Sequence, residues 1–147
     1  FFNTDEELFD EIMNTNLKGL FFTSKKISEY FIKNSIKGKI INIGSVRSFQ
    51  GGSEAYGISK WGVRGLTQGL ARDLIKHGIV VNAVAPGITA TGINEINIEN
   101  NAYTSSSLDN RVATPQEIAE IVIFLSSNAS NHIIGQTIVC DGGEILI

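Results

Sequence analysis

Three short runs rich in β-branched residues, separated by much longer stretches of helical periodicity, confine this chain to a small set of folds. Lys39-Ile-Ile-Asn-Ile-Gly44, Ile79-Val-Val-Asn-Ala-Val-Ala85 and Gln136-Thr-Ile-Val-Cys140 are each too short for a stable helix. They are mostly apolar rather than alternating, the pattern of strands buried on both faces. The first is bounded by glycines, the second ends at Pro86-Gly87 and the third at Asp141-Gly142-Gly143. The intervening stretches have helical signatures. Thr4-Asp5-Glu6-Glu7 predicts a capping box in which Thr4 caps and Glu7 reaches back. Leu8, Ile12, Thr15, Gly19 and Phe22 continue at helical spacing to about Ser35, with a bend expected near Asn16 or Gly19. Residues 54–77 predict a second helix with Tyr56, Lys60, Val63, Thr67, Leu70 and Leu74 along one side. Its four glycines, Gly57, Gly62, Gly65 and Gly69, imply close packing by another helix. Thr114-Pro115-Gln116-Glu117 is another capping box, opening a helix with Ile118, Ile121, Val122 and Leu125 as its apolar stripe.

Helix, strand, helix, strand, helix, strand predicts an α/β layer with a parallel sheet. Ligands bind such sheets beyond the carboxyl ends of the strands. Ser45 follows the first strand and Pro86-Gly87 the second, so both reach the edge where the Tyr56 helix begins. That helix carries Tyr56-Gly-Ile-Ser-Lys60, which puts a phenol and an ammonium on one face. A free Tyr, with a pKa of about 10, is a poor proton donor or acceptor at neutral pH. A fixed positive charge beside it favours the phenolate and moves it toward the working range.

Composition narrows the remainder. The 147 residues, 42% hydrophobic and 18% charged, suit one domain over 1–147. A net charge of -3, with Lys and Arg scattered, gives no footprint for nucleic acid, and no apolar run approaches a membrane span. Cys140 is the single cysteine, which is expected to be a buried small hydrophobe, and the expected setting is cytoplasmic. His77 and His132 lack partners at ligand spacing, so no metal is expected. Phe21, Phe22 and Phe31 are expected in a core or interface. The chain opens Phe1-Phe2, and Met13 is its only methionine, which reads as the remainder of something longer.

Five blocks in order resemble the short-chain dehydrogenase/reductase family. They are Asn16-Leu-Lys-Gly19, Ile41-Asn-Ile-Gly-Ser45, Tyr56-x-x-x-Lys60, Asn82-Ala-Val-Ala-Pro86-Gly87 through Thr91, and Phe124-Leu125-Ser126 through Gly135-Gln136 to Asp141-Gly142-Gly143. The chain looks like the C-terminal three-fifths of a member similar to 3-oxoacyl-carrier-protein reductases and sugar or alcohol dehydrogenases. The implied fold is the C-terminal part of a Rossmann-type doubly wound parallel sheet: the last three strands with flanking helices, the N-terminal nucleotide-binding half being absent. The implied activity is NAD(P)-dependent hydride transfer between nicotinamide and a carbonyl or secondary alcohol.

Carried onto this sequence, the resemblance makes Tyr56 the acid/base. Lys60 tunes it and bonds the nicotinamide ribose, and Ser45 polarises the substrate carbonyl. Asn16 orders a water that links Lys60 to solvent. Pro86, Gly87, Ile88 and Thr91 close over the cofactor, NAD or NADP. Residues 88–110 are a long polar loop, the substrate lid. The implied partners are a small carbonyl or alcohol substrate and further copies of the chain in a dimer or tetramer.

Two departures stand out. Ser45 and Tyr56 are eleven residues apart, short for the family, so the loop at Phe49-Gln50-Gly51-Gly52 should be tight. The glycine turn that seats a cofactor diphosphate at a helix N-terminus has no counterpart here. The 147 residues alone are therefore expected to be inactive, and three strands should leave a raw sheet edge. The alternative is a non-catalytic remnant acting as an oligomerisation or interaction module. A nucleotide-sugar epimerase sharing Y-x-x-x-K would carry a larger substrate domain after the Asp-Gly-Gly strand.

Overall fold

A computed structural model describes residues 1–91 and 106–146. Helix α1 spans Glu6–Met13 and α2 Gly19–Lys33, followed by β1 (Lys39–Ile43), α3 (Ala55–Leu74), β2 (Val80–Pro86), α4 (Pro115–Ser126) and β3 (Thr137–Cys140). The three strands pair in parallel in the order β1-β2-β3. Ile41 lies opposite Asn82, and Val84 opposite Ile138. With α3 and α4 as the crossovers, this is the expected α/β layer.

Every β2 residue from Val80 to Ala85 is buried, which requires cover on both faces; α3 and α4 both pack against it. The sequence predicts all three strands buried, but β1 and β3 are mostly half-buried, and Ile43 is 49% exposed. They are the margins of the described sheet, so each has a strand neighbour on one side only. Ala71, Leu74, Ile79 and Val81 form the packed core between α3 and the sheet, with Phe31, Ile40, Leu70 and Ile134 against it.

Buried polar groups register the layers. Asn42 Nδ2 donates to Thr67 Oγ1 at 2.9 Å, tying β1 to α3. Asn82, fully buried, donates to the Ile133 carbonyl at 2.7 Å and accepts from the Gln136 amide at 2.9 Å. It thereby fixes how the chain enters β3. Asn82→Ala leaves both backbone groups without this partner, at about 1–3 kcal/mol each. Chemical denaturation of the variant should show a stability loss of about 3 kcal/mol; a loss under about 0.5 kcal/mol would reject this role.

The helices differ from expectation in three respects. Asp5, not Thr4, is the N-cap of α1, its carboxylate accepting from the Leu8 amide at 2.9 Å. Asp is the stronger cap and its charge suits a helix N-terminus, but the shift makes Leu8 the third helical residue. Leucine cannot reach back, so no capping box forms there. The second box is present, with Thr114 and Glu117 bonded reciprocally. In α3 the buried residues are Ala55, Gly57, Ser59, Val63, Thr67, Ala71 and Leu74. The core stripe thus leaves out Tyr56, which is 41% exposed, and places Lys60 and Leu70 on its margin.

The bend between α1 and α2 is a π turn over Asn14–Lys18, where the Gly19 amide bonds the Asn14 carbonyl. There Leu17 lies against α3, and a Cβ on Gly62 would fall 2.7 Å from Leu17 Cδ2. Gly65 and Gly69, by contrast, have nothing within 4 Å of such an atom, so close packing explains one helix glycine directly and not these two. Cys140 is half-buried rather than buried, on the margin strand. Phe21 and Phe22 are 47% and 51% exposed, outside the core.

The expected loop 88–110 is described only at its ends, since residues 92–105 lie outside the described residues. Its first residues pair with the segment just beyond it: Ala90 donates to the Ala113 carbonyl and Ala113 to the Ile88 carbonyl, both at 2.9 Å. No helix among the described residues is long and apolar enough to cross a membrane.

Candidate active site

A cleft of about 590 Å³ opens at the carboxyl ends of β1 and β2. Asn16, Ser45, Tyr56, Lys60, Pro86, Gly87, Ile88 and Thr91 all line it, so every residue singled out from the sequence reaches one place. They arrive from four elements: the π turn, the end of β1, the first turns of α3, and the segment leaving β2.

The phenol and ammonium sit as their spacing predicts, with Lys60 Nζ 5.5 Å from the Tyr56 ring centroid. Lys60 Nζ also donates to the Ile43 carbonyl at 3.2 Å, which anchors the amine to the last residue of β1. Burial beside the sheet pushes its pKa below the usual lysine value. An ammonium has three N–H bonds, and the Ile43 carbonyl takes one of them. Ser45 is nearly buried, and its Oγ accepts from the Arg47 amide at 3.2 Å.

Asn16 comes to the cleft through the π turn, a distortion frequent at functional sites. Its Nδ2 donates to Ser59 Oγ at 3.1 Å, and Ser59 Oγ donates to the Tyr56 carbonyl at 2.7 Å. Ser59 therefore links the π turn to the backbone of Tyr56. The sequence reading missed it, although a serine three residues after Tyr56 is placed to bond back to that carbonyl. At the opposite wall, a Cβ on Gly87 would lie 2.8 Å from Asp141 Cβ, so only glycine lets the β2 exit pass the Asp141 turn. That turn is structural: Gly142 and Gly143 have φ of 65° and 84°, and the Asp141 carboxylate accepts from the Gly143 and Ile145 amides.

The loop from Val46 to Ser53 is tight, as its length requires. Trp61 Nε1 donates to the Gln50 carbonyl at 2.8 Å, and Arg64 donates to the Ser48 carbonyl while its guanidinium stacks 4.0 Å from the Phe49 ring. Arg47, Thr89 and Glu144 also line the cleft; neither Thr89 nor Glu144 was read as a site residue from sequence.

A parallel α/β sheet with this cleft at its carboxyl edge defines a Rossmann-type fold. The family described as enoyl-(acyl carrier protein) reductase matches residues 1–144. A 2-dehydro-3-deoxy-D-gluconate 5-dehydrogenase of Dickeya dadantii is 41% identical over 144 residues, covering 94% of this chain and 57% of that protein. A 3-oxoacyl-acyl-carrier-protein reductase of Thermotoga maritima is 38% identical, covering 96% and 58%. Among solved structures, an Agrobacterium tumefaciens protein with bound NADP, provisionally termed a 2-deoxy-d-gluconate 3-dehydrogenase, superposes with a TM-score of 0.89. It is 36% identical, and the match covers 97% of this chain and 61% of that one. The chain belongs to the short-chain dehydrogenase/reductase family and corresponds to the C-terminal part of its members. It spans a little under three-fifths of the length of the curated relatives it matches, at 57% and 58%.

Proposed function

We propose that this chain carries the catalytic half of an NAD(P)-dependent oxidoreductase interconverting a carbonyl and a secondary alcohol. The observation that carries the reading is the convergence of Ser45, Tyr56 and Lys60 with the Pro86–Thr91 segment on one cleft. The nicotinamide, when bound, supplies or accepts the hydride. In reduction, Ser45 Oγ–H holds the substrate oxygen, a fixed donor aimed at developing negative charge. Tyr56 Oη–H gives that oxygen its proton, and the Lys60 ammonium stabilises the phenolate left behind. In oxidation the same groups act in reverse. Lys60 offers its remaining N–H bonds to the nicotinamide ribose, while Pro86, Gly87, Ile88 and Thr91 bound the cofactor side. Asn16, through Ser59, keeps the first turn of α3 in place. Helices α2 and α3, which expose Phe21, Phe22, Tyr30, Ile58 and Trp61, support a homo-oligomer.

The test uses the full-length protein that contains this chain. Titration with NADH and NADPH, followed by nicotinamide absorbance with a panel of ketones, sugar acids and acyl thioesters, should show saturable cofactor binding and turnover of at least one class. Absence of both binding and turnover would favour the non-catalytic remnant. The whole protein is used because this chain spans only 57% and 58% of the length of the Dickeya dadantii and Thermotoga maritima relatives.

A further inference from the structure

We propose that the Arg47–Glu54 ion pair is a clamp that sets the separation of Ser45 and Tyr56, which makes both charged residues positioning residues for the reaction. The inference rests on the function proposed above. Arg47 lies two residues after Ser45, and Glu54 two residues before Tyr56, so the pair bridges the loop near its two ends. Arg47 Nη2 meets Glu54 Oε1 at 2.6 Å, and Nη1 meets Gln50 Oε1 at 3.0 Å. The same residue's amide donates to Ser45 Oγ at 3.2 Å. One arginine thus holds the serine hydroxyl through its backbone and the start of the tyrosine helix through its guanidinium.

Glu54 occupies the N-cap position of α3, yet its side chain makes no capping bond. Its carboxylate is instead turned to Arg47, and that hydrogen bond is the main reason its pKa is held below the usual carboxylate value. Two glycines make the room. A Cβ on Gly52 would fall 2.7 Å from Glu54 Oε2, and one on Gly57 would fall 2.8 Å from Oε1. Gly57 lowers helix propensity in the first turns of α3, and the seat for this carboxylate is what it provides.

The energetics separate a clamp from a stability device. Both side chains are more than one-third exposed, and exposed pairs contribute little to folding. Geometry is the larger stake, because a displacement of about 1 Å between reacting groups costs about 100-fold in rate.

The experiment compares the full-length wild type with Glu54→Ala, Arg47→Ala, the double variant and Arg47→Lys, reading kcat, KM, Tm and hydrogen exchange over residues 45–57. Each alanine variant should lose about 10- to 100-fold in kcat with KM and Tm nearly unchanged. The double variant should be no worse than either single one. Arg47→Lys should fall between, since an ammonium cannot fork between Gln50 and Glu54. Exchange over 45–57 should quicken in both alanine variants. Unchanged kcat, additive losses, or an effect on KM alone would each overturn the clamp. Exchange is readable whether or not the protein turns over. A wild type without oxidoreductase activity would sink the functional reading, while unchanged exchange would sink the clamp.

Discussion

Tyr56→Phe in the full-length protein is expected to lower kcat/KM by about 10²- to 10⁴-fold, the range for loss of a positioned acid/base. That is about 3–5 kcal/mol of transition-state stabilisation. The substitution removes one oxygen from a side chain already 41% exposed on the cleft wall, so the fold should not notice it. The Tm should stay within a few degrees of wild type. Cofactor affinity should also hold, because Lys60 keeps its bond to the Ile43 carbonyl and its place beside the ring. The decisive measurement is single-turnover hydride transfer at saturating cofactor and substrate. Retention of wild-type rate would remove Tyr56 from the mechanism and leave Ser45 to assist the carbonyl.

Lys60→Met is expected to reduce kcat by about 10²-fold or more while raising thermal stability at neutral pH. The two effects share a cause. Burial beside β1 pushes the Lys60 pKa down, so the folded state binds this proton less tightly than the unfolded chain does. Between the lowered folded value and the ordinary lysine value, the unfolded state therefore holds more protons, and stability rises with pH. Below that window the folded protein carries the whole cost of a desolvated ammonium. Methionine has a similar apolar stem and no charge, so it escapes that cost. The Tm advantage of the variant should be full at neutral pH and shrink as pH climbs toward about 10.4. A variant less stable than wild type at neutral pH would mean that the Ile43 hydrogen bond outweighs desolvation. A variant with full activity would mean that the ammonium is dispensable. Its cofactor affinity should fall as well, unlike that of Tyr56→Phe, because the ribose donors go with the amine.

The family was legible from spacing along the chain. Tyr56 and Lys60 are four residues apart, and any helix puts such a pair on one face. The β-branched runs at 39–44, 79–85 and 136–140 could bury themselves only in a covered parallel sheet, and this sets the carboxyl edge where Ser45 and Pro86 emerge. Those are local or nearest-neighbour rules, and they hold whatever surrounds them.

What the tertiary structure alone decided is which way each face turns and which distant groups meet. Helical periodicity ran the apolar stripe of α3 through Tyr56 and Lys60. The structure buries Val63, Thr67 and Leu74 of that stripe but adds Ser59 and Ala71 in place of its longer members, because close approach to β2 and to Leu17 rewards small residues over long ones. Tyr56 stays at the exposed margin as a result. Asn16 reaches the cleft only because a π turn rotates it there, and its partner Ser59 is 43 residues away. Arg47 and Glu54 meet because the loop between Ser45 and Tyr56 folds tightly enough to press them together. A sequence fixes the spacing of side chains along one element by covalent geometry. The contacts between elements depend on packing every layer at once, and that is where this site acquires its shape.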